Sequence, residues 1–220
     1  MIVTQDDETI DQILSSVESI CKKYPEKYWL ELDKAQSYPT EFVKSMTESG
    51  HLNALIPTKY GGAGLSLLIA ARILEKIHQS GCNAAAAHAQ MYTMGSILKY
   101  GSETQKNKWL PLIAKGEVRL QAFGVSEPEA GTDTSSISTT AIRKENKYIL
   151  NGQKIWTSRA LHSDLMILLA KTKSKNERNS KSDGLSLFLI DIRESLGSGM
   201  TIRPIETMIN HSTTEVFFDN

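Results

Sequence analysis

Two short stretches hold most of the residues that could do chemistry. Gly124-Val125-Ser126-Glu127-Pro128-Glu129-Ala130-Gly131-Thr132-Asp133 packs hydroxyls, carboxylates, a proline and glycines together. That composition favours a turn with exposed backbone N–H groups over any regular element. Such a turn can hold an anion. Further on, Lys154-Ile155-Trp156-Thr157-Ser158 sets a large aromatic beside two hydroxyls, a flat stacking face next to short hydrogen-bond donors. That combination suits a planar heteroaromatic ring.

The elements that must position these stretches divide the chain in two. From about Asp6 to Lys115 the apolar residues recur at helical steps. Ile10, Leu14, Val17 and Ile20 predict a first amphipathic helix. Phe42, Val43 and Met46 predict a second, set up by Pro39 and Thr40 and stopped at Gly50. Ile69, Ile73 and Ile77 mark another helix, and Asn83 to Tyr100 reads as an interior helix in which His88 and Met91 are expected to be core residues rather than a cofactor lining. A last helix runs from about Thr104 to Ala114 and stops near Gly116. The glycine-rich Pro57-Thr58-Lys59-Tyr60-Gly61-Gly62-Ala63-Gly64-Leu65-Ser66 could cradle phosphate, but no strand precedes it and no Lys-Ser/Thr pair follows at the required spacing. It is expected to be a structural turn.

After Gly116 the period becomes strand-like. Ile137–Arg143 predicts a strand, with a turn at Lys144-Glu145-Asn146; Asn151-Gly152 carries the strongest hairpin signal, with Lys154-Ile155-Trp156 returning from it. Leu165–Ala170, Leu185–Ile190, Thr201–Pro204 and Glu215–Phe218 supply further strands, with an exposed Lys/Ser/Asn-rich connection at Lys171–Asp183. The expected fold class is α+β: an all-α domain over 1–119, then an antiparallel β-barrel or sandwich over 120–220.

Composition narrows the function classes. Lys plus Arg and Asp plus Glu are balanced at 25 each in 220 residues, so no basic excess is available for a nucleic-acid backbone. The two cysteines, Cys21 and Cys82, predict neither a zinc site nor a disulfide framework. The acidic start Gln5-Asp6-Asp7-Glu8 lacks an export signal, and no apolar run reaches membrane-spanning length. A soluble, cytoplasmic protein is expected.

These residues carry a resemblance. The Gly124–Asp133 stretch and Asn151-Gly152-Gln153-Lys154-Ile155-Trp156-Thr157-Ser158 resemble the flavin-site signatures of acyl-CoA dehydrogenases, and Tyr60-Gly61-Gly62-Ala63-Gly64-Leu65 is similar to a loop in that family's helical first domain. The likeness runs from about Tyr38 to Asn220 and covers the family's first two domains, not its C-terminal four-helix domain. It implies FAD, held by Phe123, Gly124, Val125, Ser126, Gly131, Thr132, Trp156, Thr157 and Ser158. Backbone N–H groups of Phe123 to Thr132 would meet the flavin carbonyls and pyrophosphate, Trp156 would lie on the ring face, Ser158 would donate near the edge that accepts hydride, and Thr132 would also contact the acyl-CoA. Phe123 departs from a frequent Tyr, Glu129 from a small residue and Ser158 from a frequent Thr.

The resemblance further implies α,β-dehydrogenation of an acyl-CoA thioester, with an electron-transfer flavoprotein as acceptor and a homo-oligomer at full length. The family's catalytic Glu lies in the C-terminal domain, so the chain is expected to be a fragment with no catalytic base of its own. Glu127 is expected to bond backbone N–H groups of the turn, and neither it nor Glu129 is assigned as the base. The alternatives are a non-catalytic flavin or acyl-CoA binding module and the remnant of a disrupted gene.

Overall fold

The computed structural model describes residues 7–173, 175–177, 179–180 and 182–219. The chain divides into two compact units, Met1–Arg119 and Leu120–Asn220, each with its own apolar core.

The first unit is helical, with α1 (Asp7–Cys21), α2 (Glu26–Lys34), α3 (Thr40–Glu48), α4 (Leu67–Gln79), α5 (Ala85–Tyr100) and α6 (Glu103–Lys115). Helical spacing becomes burial as expected: Leu14, Val17 and Ile20 of α1, Phe42, Val43 and Met46 of α3, and Ile69, Ile73 and Ile77 of α4 are all interior. Local chemistry sets the ends. The Ser66 hydroxyl accepts from Ile69 N at the start of α4, Ser102 and Gln105 form a capping box at α6, and Gly116 closes α6 with φ 75°. Helix α2 was not anticipated because it has no fully buried residue. Aromatic edges hold it instead: the Tyr28 ring lies 4.9 Å from Tyr24 and the Trp29 ring 5.0 Å from Phe42.

Two expectations in this unit have distinct outcomes. Met91 of α5 is buried, but His88 is exposed, its ring 5.1 Å from that of Tyr92. His88 is therefore not a core residue. The glycine-rich loop is a structural turn: the amides of Gly62, Ala63, Gly64 and Leu65 donate to the carbonyls of Pro57, Asn53, Ile56 and Ala54. Those N–H groups are taken by the chain itself and are not free for phosphate. Cys21 and Cys82 are buried and unbridged, and burial, helped by the adjacent Cys82, pushes the Cys21 thiol up to about 12. No helix among the described residues is long and apolar enough to cross a membrane.

The second unit is a seven-stranded sheet of β1 (Leu120–Gly124), β2 (Thr140–Lys144), β3 (Lys147–Ser158), β4 (Leu165–Lys171), β5 (Leu185–Asp191), β6 (Met200–Pro204) and β7 (Thr213–Asp219). Its order is β1-β4-β2-β3-β7-β6, with β5 on the other edge of β4. The sheet is mixed rather than antiparallel, because β1 and β2 both run parallel to β4. Local strand signals do not encode pairings made at this sequence distance. Leu165, Met166, Ile167, Leu168 and Ala170 of β4 are buried, as befits a strand covered on both faces.

One edge of β4 is shared. Gly124 of β1 pairs with Leu168, and Thr140 of β2 pairs with Lys171. Between these two pairings the chain leaves the sheet at Val125 and returns at Thr139, whose carbonyl accepts from Lys171 N at 2.9 Å. The polar stretch singled out in the sequence is this excursion.

Asn151-Gly152 does not form the expected hairpin turn. Strand β3 runs through both residues without a turn, and the β2–β3 hairpin turns at Lys144–Lys147, with Glu145 at φ 56°. Gly152 serves a different purpose: its φ is 146°, and a Cβ there would lie 2.5 Å from Thr139 Oγ1 and 2.6 Å from Thr139 Cα. It lets the return of the excursion press against β3. Replacing Gly152 with Ala is expected to lower the unfolding free energy by about 1–3 kcal/mol, whereas Glu145→Gly, at the actual turn, should leave it within about 1 kcal/mol. Urea unfolding of the two variants checks the assignment.

Candidate functional site

The excursion is closed on itself and fastened to β3. Glu127 N donates to Ala130 O at 2.9 Å and Ala130 N to Glu127 O at 3.1 Å, which makes a tight turn around Pro128 and Glu129. Ile155 N donates to Ser126 O at 2.9 Å, so the two stretches found in the sequence lie side by side. Gly124 allows the approach: a Cβ there would meet Lys154 Cγ at 3.2 Å.

Beneath this junction lies a buried ion pair. Lys154 Nζ donates to Glu127 Oε1 at 2.8 Å and to Val125 O at 3.0 Å, with side-chain exposures of 0% for Lys154 and 3% for Glu127. The carboxylate also accepts from Thr139 N at 2.9 Å, from Ser138 Oγ at 2.7 Å and from Ser138 N. Burial by itself would raise the Glu127 carboxyl, but Lys154, Ser138 and Thr139 outweigh it and hold it down to about 2. Burial also pushes Lys154 downward, opposed by the Glu127 charge. The donors converging on the carboxylate favour the ionised pair, and its direction is set by Glu127. As expected from the sequence, the Glu127 carboxylate bonds backbone N–H groups, here those of Ser138 and Thr139 at the return of the excursion.

Above the pair the backbone is forced out of regular geometry. The register of β3 against β7 shifts between Lys154 and Thr157, and Trp156 adopts φ 61°. The bulge leaves the indole 58% exposed on a strand whose neighbour Lys154 is fully interior. Arg159, at φ 61°, and Asn210, at φ 58°, follow nearby. They are joined because Arg159 N donates to Ser212 O at 2.7 Å and Asn210 Nδ2 donates to Ser158 Oγ at 2.9 Å.

The expected site residues fall into three groups. Phe123 and Gly124 end β1, and Val125 and Ser126 lead from it directly beside Lys154 and Ile155. Gly131 and Thr132 are exposed on the far side of the turn, and no hydrogen bond among the described residues links them to Trp156, Thr157 or Ser158. Trp156 and Ser158 are accessible at the end of β3, but the Thr157 hydroxyl is buried and has no partner among the described residues. The whole residue is only 1% exposed and its carbonyl accepts from Thr214 Oγ1 at 2.7 Å, so Thr157 belongs to the interior of the sheet. Among the described residues the amides of Ser126, Gly131 and Thr132 and the hydroxyls of Ser126 and Thr132 have no protein partner. No cluster of described residues could hold a metal ion.

Two contributors were missed in the sequence. Lys154 carries no local signal of its burial, because Gln153 precedes it and only Ile155 and Trp156 on its other side are apolar. Asn210 was not singled out, although Asn-His-Ser before a β-branched run signals a left-handed turn.

Comparison with known proteins gives consistent matches. Residues 7–117 match the family model described as acyl-CoA dehydrogenase, N-terminal domain, and residues 122–220 match acyl-CoA dehydrogenase, middle domain. The chain is 33% identical over 195 residues to an acyl-CoA dehydrogenase of Bacillus subtilis (strain 168), covering 86% of this chain and 49% of that protein. It is 35% identical over 195 residues to glutaryl-CoA dehydrogenase of Desulfococcus multivorans, covering 86% and 48%. A crystal structure of acyl-CoA dehydrogenase from Geobacillus kaustophilus superposes with a TM-score of 0.86 at 27% identity, covering 100% of this chain and 57% of that one. The chain thus spans about half the length of the relatives it matches.

The ion pair predicts a pH signature. The Glu127 carboxyl lies near 2 in the fold against an ordinary 4.5. Its stabilisation is therefore complete above about 4.5 and is lost as pH falls toward 2. Glu127→Gln and Lys154→Met should each cost about 3–5 kcal/mol, and Glu127→Gln should flatten this acid limb of the stability profile. Urea unfolding between neutral and acid pH measures both effects.

Proposed function

The chain belongs to the acyl-CoA dehydrogenase family, and from that premise we propose that Leu120–Asn220 is the flavin-binding unit of an FAD-dependent enzyme that dehydrogenates an acyl-CoA thioester. The observation that carries this reading is the turn at 125–132, with unclaimed amide N–H groups, tied by Ile155 N to Ser126 O one residue from an exposed indole. Donors without partners suit the carbonyl and phosphate oxygens of FAD, and the indole suits its ring.

Each residue then has a role set by its own surroundings. The amides of Ser126, Gly131 and Thr132 would hold the anionic and carbonyl oxygens, along a wall begun by Phe123, Gly124 and Val125. The Ser126 hydroxyl would bond the ring, Trp156 would cover one face, Thr157 would anchor the strand between them from its interior position, and Ser158 would donate at the reducible edge. Thr132 would in addition touch the acyl-CoA. When bound, FAD supplies acceptance of the β-hydrogen as hydride. We assign no base to this chain: Glu127 is held ionised by Lys154 and has no capacity left to take up the α-proton. The proposed acceptor of the electrons is an electron-transfer flavoprotein.

The test uses the full gene product, purified and mixed with FAD under anaerobic conditions, then with a panel of acyl-CoA thioesters. A retained flavin absorption band that bleaches with one or more thioesters is the expected result. Retention without bleaching by any thioester would favour a non-catalytic binding module, and failure to retain flavin would overturn the reading. Trp156→Ala should weaken FAD binding about tenfold, the equivalent of the ~1.4 kcal/mol expected for losing an aromatic stack, as read by flavin fluorescence titration.

A further inference from the structure

We propose that Asn210 is a positioning residue that sets the direction of the Ser158 hydroxyl proton, an inference that rests on the flavin reading above. The bond is Asn210 Nδ2 to Ser158 Oγ at 2.9 Å. An amide NH2 only donates, so Ser158 is the acceptor there and its own proton must point elsewhere. Among the described residues that proton has no acceptor. It is therefore left for a group at the surface beside Trp156.

Asn210 is built to hold this position. Its backbone is left-handed, with φ 58°, a conformation that asparagine tolerates better than most side chains. Three donors converge on its carbonyl: Thr213 Oγ1 at 2.7 Å, Thr213 N at 3.0 Å and Thr207 Oγ1 at 3.3 Å. The same loop is tied to the end of β3 through Arg159 N and Ser212 O at 2.7 Å. Both ends of the Asn210–Ser158 bond thus ride on fixed backbone. A lone surface hydrogen bond between two long, mobile side chains would not be preorganised in this way.

The consequence is electrostatic. A hydroxyl proton aimed at a ring edge stabilises the electron density gained there on reduction, and a freely rotating hydroxyl does so less. Asn210 then acts on the reduction potential through Ser158, without touching the ring.

The experiment is a thermodynamic cycle on the FAD-loaded full gene product: wild type, Asn210→Gly, Ser158→Ala and the double variant. Glycine tolerates the left-handed backbone and removes the side-chain amide with its donor. The readouts are the flavin midpoint potential against a reference dye, the visible spectrum and the urea midpoint. Asn210→Gly should lower the equilibrium constant for reduction by about tenfold, or ~30 mV for a two-electron couple, and should add nothing in the Ser158→Ala background. An unchanged or raised potential in Asn210→Gly overturns the proposal. So does a shift of equal size with Ser158 absent, or a change confined to the urea midpoint. If the wild type retains no flavin, the functional reading fails first and this proposal falls with it; flavin retained with no shift rejects this proposal alone.

Discussion

The buried pair of Lys154 and Glu127 is the constraint on which the second unit turns. Two charges with almost no solvent exposure can persist only if the protein replaces water on both of them. Here one lysine, two backbone amides and a serine hydroxyl surround the carboxylate, while the ammonium also reaches Val125 O. These partners come from the exit of β1, the entry to β2 and the middle of β3. No one of the three segments can shift without stranding a charge, so the pair fixes their mutual position more firmly than apolar packing alone would.

That fixation explains why irregular backbone survives directly above it. Left-handed conformations at Trp156, Arg159 and Asn210 each cost of order 1 kcal/mol or more for a residue with a side chain. They persist where the surroundings over-determine them. The bulge in β3 begins just after Lys154, whose side chain is anchored inward, and it turns the next indole but one outward. A regular strand could not offer both an interior lysine at 154 and an exposed ring at 156, because residues two apart share a face. The bulge is the solution to that conflict.

What the sequence made legible follows from the range of each signal. Helices α1, α3, α4 and α5 announce themselves through spacings within one or two turns, and the excursion at 125–132 through its turn residues. Helix α2 stayed hidden because Tyr28 and Trp29 dock by ring edges without deep burial, leaving a weak apolar period. Asn151-Gly152 misled because the same dipeptide serves a tight turn and a close backbone approach; only Thr139, thirteen residues earlier, decides between them. The parallel pairing of β1 with β4 spans still more chain, and nothing in either strand encodes its partner.

The arrangement also separates holding from reacting. A carboxyl that positions a turn must stay ionised at all working pH values, and donors gathered around Glu127 accomplish this by holding it near 2. A carboxyl that removes a proton needs the opposite: few donors, and an affinity for protons close to the working pH. Glu127 cannot satisfy both demands. The bonds that make Glu127 a fastener are therefore the same bonds that hold its affinity for protons far below neutral pH.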